Sequence, residues 1–166
     1  MLSEQMLGAL NEQINAELSS AYQYLAMAAY FESIDLEGSA RWMKRQSREE
    51  VEHAMKLFEF IHDRDGRVSL SAVAQPQGQF DSPLAVWEAV LKQEQSVTAR
   101  IHALYRLAGE EKDYATEVML QWFVNEQVEE EKQARSILAQ VRVIGPASSA
   151  IFFVDRHLGK EAEKKE

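Results

Sequence analysis

Glu17, Glu50, Glu94 and Glu130 fall in four separate helical stretches of a 166-residue chain, each on the apolar side of its helix. His53 follows Glu50 by three residues, a spacing that aims both side chains at one point. A buried carboxylate without a counter-charge costs several kcal/mol, so four together require cations, and two divalent ions balance four carboxylates. Carboxylate oxygens with a single imidazole suit iron or manganese better than structural zinc, which favours tetrahedral nitrogen and sulfur. The chain contains no cysteine, which removes thiolate nucleophiles, disulfides and iron–sulfur ligation. The expected chemistry is that of a metal pair held by oxygen and imidazole.

The assignment rests on helix phase. Turning each segment by about 100° per residue places Glu130 in the stripe of Met119, Phe123, Ala134, Ile137 and Val141, with Glu126 and Gln127 within roughly 60° of it. Glu94 is central in the stripe of Trp87, Leu91, Thr98, Ile101 and Tyr105. Met43, Ala54, Leu57, Phe58 and Ile61 mark the inner face that includes Glu50, with His53 at its edge. Glu17 and Tyr24 lie close to the line of Leu10, Ile14, Ala21 and Leu25. A metal-free helical scaffold remains the alternative if these acids are mis-phased. His62, His102 and His157 have no inward acidic neighbours at helical spacing and are assigned to the surface or an interface, and the six methionines to core filling. Trp122 is assigned to packing.

These side chains require long helices to position them. Segment one runs from Ser3, a plausible N-cap, to about Glu32, and segment two from near Asp35 to about Arg64, joined by a short turn around Ser33 to Glu37. Segment three starts with Ser82 as cap and Pro83 in the first helical position and runs to about Ala108. After a break at Gly109 to Asp113, segment four extends to about Val143 and stops at Gly145-Pro146. Residues 65–82 form a connection long enough to travel the whole bundle, since 18 extended residues span about 59 Å and a helix of 28 residues about 42 Å. Segments two and three are therefore parallel, joined by one crossover, the connectivity of ferritin-like bundles. The fold class is all-α: a four-helix bundle over about 3–143 with a short fifth C-terminal helix over about 147–158, in a single domain spanning 1–166. The fifth stretch, with Ile151, Phe152, Phe153, Val154 and Leu158, either folds back on its own bundle or packs against neighbouring subunits. The tail from Gly159 to Glu166 is expected to fray.

Composition narrows the function further. The content of 46% hydrophobic residues with seven glycines and three prolines describes a compact helical protein. A net charge of -9 without a segregated basic patch disfavours nucleic acid and favours cations as partners. No apolar run approaches the ~20 residues of a membrane span, and the start Met1-Leu2-Ser3-Glu4-Gln5 lacks the pattern of a secretory signal, so a cytoplasmic location is expected.

Over essentially its full length the chain resembles the ferritins, specifically the non-haem prokaryotic ones. Glu17, Glu50-x-x-His53, Glu94 and Gln127-x-x-Glu130 stand where that family has its diiron ferroxidase centre, and Tyr24 stands where it has the nearby tyrosine. The resemblance implies that Glu17 and His53 serve the first iron, that Glu50 bridges, and that Glu94 and Glu130 serve the second, with Gln127 an auxiliary polar neighbour. Glu49, Glu126 and Glu129, sharing Glu130, match a third iron site; a hydrated acidic rim is the alternative for them. Tyr24 is either an electron donor or a packed aromatic. The haem-binding branch has Met directly after the ligand Glu of its second helix and a second Glu-x-x-His in its fourth. Here Val51 and the Gln127/Glu130 pair stand there, so no haem is expected. The implied function is iron storage and detoxification: Fe(II) is oxidised by dioxygen or peroxide and kept as mineral inside a hollow shell of 24 subunits, with the fifth helix around the four-fold axes. An unidentified reductase for iron release is a possible partner. A diiron oxygenase or peroxidase acting on another substrate is the rival enzyme reading. The absent cysteines argue against its rubrerythrin-like version, and the ligand set within one subunit and the fifth helix argue against a DNA-protecting mini-ferritin.

Overall fold

The structure is a computed structural model that describes residues 1–145 and 149–164. Five helices account for the described secondary structure: α1 (Glu4–Ser33), α2 (Glu37–Asp63), α3 (Pro83–Glu111), α4 (Tyr114–Ile144) and α5 (Ile151–Lys164). Local chemistry sets the starts. Ser3 accepts from the Met6 amide and Ser82 from the Ala85 amide, with Pro83 in the first turn of α3. Asp113 accepts from the Thr116 amide and caps α4. The break between α3 and α4 is tighter than the expected Gly109 to Asp113: α3 continues through Gly109, and Lys112 makes the turn in the left-handed region at φ 57°.

Cross-helix contacts give the topology. Ser47 of α2 donates to the Ala21 carbonyl of α1 while Lys44 reaches Glu32, so α1 and α2 are antiparallel. Arg100 meets Gln13, and Ser3 meets Glu111, so α1 and α3 are antiparallel as well. Hence α2 and α3 run parallel, and residues 64–82 cross from one end to the other. This crossover is strapped along α1 by side-chain amides: Asn11 bonds the backbone of Arg67 and Ser69, Asn15 that of Ser71 and Ala72, and Gln23 that of Gln77. Arg64 closes the far end by pairing with Asp113 at 3.0 Å.

α5 folds back on its own bundle. Its Asp155 accepts from the Gly38 and Ser39 amides, supplying the cap that Leu36 at the start of α2 lacks. Gly38 permits the approach, since a Cβ there would lie 1.9 Å from the Asp155 carbonyl oxygen. The expected fraying after Leu158 does not occur up to Lys164: the helix continues that far, with Gly159 against Gly38 and Ala162 buried. The expected stop at Pro146 and start at Ala147 lie outside the described residues, as do the tail's last two positions.

The apolar core comes in two halves. One gathers Tyr24, Phe31, Trp42, Trp87, Leu138 and their neighbours; the other gathers Met6, Leu10, Leu57, Ile101, Leu120 and Phe123. Between them the bundle is polar. Leu25, expected on the inner line of α1, is 48% exposed. The buried positions Leu10, Glu17, Tyr24 and Phe31 recur every seven residues, as do Ile14, Ala21 and Ala28, and Leu25 falls outside both rows. Among the described residues no helix is long and apolar enough to cross a membrane.

Candidate metal centre

The polar waist between the two core halves holds the four acids. Glu17, Glu50, Glu94 and Glu130 are 0%, 2%, 1% and 3% exposed, one from each of α1 to α4, and His53 and Gln127 are buried beside them. Each lies where its helix passes from one apolar cluster to the other, so burial follows from the flanking residues: Ile14 and Ala21 around Glu17, Met43 and Ala54 around Glu50, Val90 and Val97 around Glu94, Phe123 and Ala134 around Glu130.

Two kinds of carboxylate emerge. Glu17, Glu50 and His53 form one group, their ligand atoms all within 4.8 Å of one another, with His53 Nδ1 3.4 Å from Glu50 Oε2. Glu17 Oε2 and Glu50 Oε2 are buried and accept no hydrogen bond, although Gln13 Nε2 donates to the other Glu17 oxygen at 2.8 Å. Glu94, by contrast, accepts protein donors on both oxygens, and Glu130 on one. The Tyr24 hydroxyl donates to Glu94 Oε1, Gln127 Nε2 donates to Glu94 Oε2 at 3.2 Å, and Gln46 Nε2 donates to Glu130 Oε2 at 2.9 Å.

The electrostatics match that crowding. Burial raises Glu17 well above the usual carboxylate value, and the charge of Glu50 adds to it. Burial followed by Glu94 does the same to Glu50, and burial raises Glu94. Glu130 is pushed up to about 7 by burial, then by Glu94 and Glu49. Tyr24 is raised by burial and by Glu94. Acids that resist ionisation and buried oxygens without donors are groups whose charge and lone pairs a bound cation would satisfy. Four carboxylates and one imidazole form a hard donor set, so the residues present fit iron.

The acids matched to a third site lie to one side. Glu49 and Glu126 are close enough to raise Glu130, but Glu49 also faces Arg45 Nε at 3.5 Å. Glu129 points outward, 3.8 Å from Lys132. Among the described residues these acids do not gather within ligand distance of one another. Trp122 packs edge-on against His53 at 5.4 Å, with Lys56 Nζ over its ring at 4.3 Å from the centroid, so it walls the site. Three polar residues around the acids carry no expectation in the sequence reading: Gln13, Gln46 and Arg45, all buried. Gln13 and Gln46 precede Glu17 and Glu50 by four residues, the same-face spacing that would have drawn them in.

Comparison with known proteins accords with this geometry. The profile of the Ferritin-like domain family matches residues 7–144. The bacterial non-heme ferritin of Staphylococcus aureus (strain USA300) is 40% identical over 159 residues, 96% of each chain, and that of Staphylococcus saprophyticus is 39% identical over 158 residues, 95% of each. A solved open pore ferritin from the hyperthermophilic archaeon Archaeoglobus fulgidus superposes with a TM-score of 0.94 at 52% identity, covering 95% of this chain and 96% of that one. A closed form engineered from the same archaeal ferritin also gives 0.94 at 52% identity, over 96% and 97%. With one inward carboxylate from each of four helices, one long crossover and these relatives, the chain belongs to the ferritin family.

Proposed function

We propose that the polar waist is a ferroxidase centre and that the chain, acting as one domain over residues 1–166, stores iron. The observation that carries this reading is the pair of buried, donorless carboxylate oxygens on Glu17 and Glu50 beside His53. Iron is the substrate. Glu17 and His53 serve the first Fe(II), Glu50 lies between the two positions, and Glu94 and Glu130 serve the second, with Gln127 holding Glu94 in place. Each Fe(II) gives one electron to the oxidant, dioxygen or peroxide, and anionic oxygen ligation favours the Fe(III) product. Fe(III) then leaves for storage as mineral in a hollow homo-oligomer of 24 chains in the cytoplasm. Glu49, Glu126, Glu129 and Glu130 would take a third iron only after Glu49 lets go of Arg45 and Glu129 turns inward. No haem, nucleic acid or membrane enters this account, and release of the mineral calls for an external reductant.

The protein's own residues order the loading. Glu17 and Glu50 offer free oxygens beside His53, whereas both Glu94 oxygens already accept hydrogen bonds and the one from Tyr24 must be exchanged first. The first position is therefore the tighter. Equal occupancy of the two at low iron loading contradicts this. Tyr24 would pass a further electron to the same oxidant while its proton goes to Glu94, to which it already donates. The decisive test is the double variant Glu50→Ala with Glu130→Ala: the initial rate of Fe(II) oxidation falls to that of the uncatalysed reaction, and an unchanged rate refutes the assignment.

A further inference from the structure

Arg45 and Gln46 stand behind the metal centre, and neither belongs to the proposed ligand set. Both are buried. Arg45 Nη2 donates to Gln46 Oε1 at 2.9 Å, and Gln46 Nε2 donates to Glu130 Oε2 at 2.9 Å. The guanidinium also meets its surroundings elsewhere: Nη1 donates to the Glu161 carbonyl of α5 at 3.4 Å, its carbon lies 5.5 Å from the Trp42 ring centroid, and Nε pairs with the Glu49 charge at 3.5 Å without a hydrogen bond.

Chemistry gives this chain of contacts a direction. Arginine has donors only, so the Gln46 side chain must present its oxygen to Arg45 and its NH2 to Glu130. Without Arg45 the amide is free to turn over, and a carbonyl oxygen would then face the Glu130 carboxylate. We propose that Gln46, oriented by Arg45, is the positioning residue for Glu130 and sets the affinity of the second metal position, with α5 as the outer anchor of the relay. The inference rests on the reading of Glu130 as a ligand of the second ion. The first position has a separate relay, in which Arg100 Nε donates to Gln13 Oε1 at 3.2 Å and Gln13 Nε2 to Glu17 Oε1 at 2.8 Å, so a change at Gln46 leaves the donor to Glu17 in place.

Outer residues that orient a ligand typically change metal affinity by about 10- to 100-fold when removed. Co(II), which binds carboxylate–imidazole sites and does not turn over in air, gives a direct readout by its visible absorption during titration of the metal-free assembly. The expected result for Gln46→Leu is a second Co(II) bound at least about tenfold more weakly than in the parent, with the first constant unchanged. Arg45→Met follows in the same direction, and Arg45→Lys, which keeps a donor for Gln46 Oε1, restores the second constant. Thermal melts of each metal-free variant run alongside; a general loss of structure weakens both positions together, and that outcome overturns the proposal. So does a Gln46→Leu chain that binds the second ion as the parent does. Glu130→Ala separates the two readings: if it keeps both ions, Glu130 is no ligand and the underlying assignment fails, whereas if it loses the second ion while Gln46→Leu does not, only the positioning role fails.

Discussion

Glu130 shows most plainly how burial becomes a measurable property. Its carboxyl is raised from about 4.5 to about 7 by burial, with Glu94 and Glu49 adding to it. A folded-state value above the unfolded one means the folded chain holds a proton that the unfolded chain has released. Its contribution is therefore fully present below the ordinary carboxylate range and is lost as pH rises toward 7. A carboxyl moved that far corresponds to roughly 3 kcal/mol. Metal-free protein should lose stability to urea between pH 5 and 7.5, and Glu130→Gln should flatten that decline by a large part of this amount. Parallel pH profiles for parent and variant would contradict it. Added divalent cation should reverse the trend with release of protons, because the ligands must ionise to bind. A second residue-level prediction concerns Tyr24: Tyr24→Phe keeps the ring among Trp42 and its neighbours and removes only the hydroxyl donated to Glu94. That variant should still bind two metal ions but give no tyrosyl signal by electron paramagnetic resonance when Fe(II) is oxidised. A tyrosyl signal of parental size would place the radical elsewhere.

At the scale of elements, α2 is the hinge between site and periphery. Its start is capped from α5 by Asp155, its middle holds Glu50 and His53, and its end is tied to α4 through Arg64 and Asp113. Gly38→Ala inserts a methyl group where the Asp155 backbone stands 1.9 Å away, so α5 must lift from α2. Hydrogen exchange should then show α5 amides opening by a factor of ten or more faster, with α1 to α4 protected as before; unchanged α5 protection would mean the contact is dispensable. Much of this architecture was legible in advance. Ser3, Ser82 and Pro83 announce helix starts through local capping, and the inward phase of Glu94 and Glu130 needs only a helical period. What was not legible depends on partners distant in sequence. Leu25 is exposed because the neighbouring helices cover the seven-residue rows of Glu17 and Ala21 and leave its flank open, and the helix beyond Leu158 packs with Gly159 close to Gly38. Gln46 escaped notice for the same reason: a glutamine on an inner face is silent until Arg45 and Glu130 are seen on either side of it.

For the molecule as a whole, two apolar halves held apart by a charged waist would be a costly design without cations to neutralise it. The outer faces point to assembly. Phe152 and Phe153 of α5 are 54% and 74% exposed, and Tyr22 and Leu25 on α1 are half exposed, so a shell of many chains gives these side chains somewhere to go. Sedimentation should show one large species for the parent and smaller ones for Phe152→Asp with Phe153→Asp; an unchanged particle would remove α5 from the interface. The central claim, however, is the metal pair. Anomalous scattering at the iron edge from crystals soaked anaerobically in Fe(II) tests it most directly. The account predicts two peaks in the waist of each chain, one against Glu17, Glu50 and His53 and the other among Glu50, Glu94 and Glu130, with the first filling earlier. No paired peaks between the helices, or iron bound only at surface acids, would contradict it.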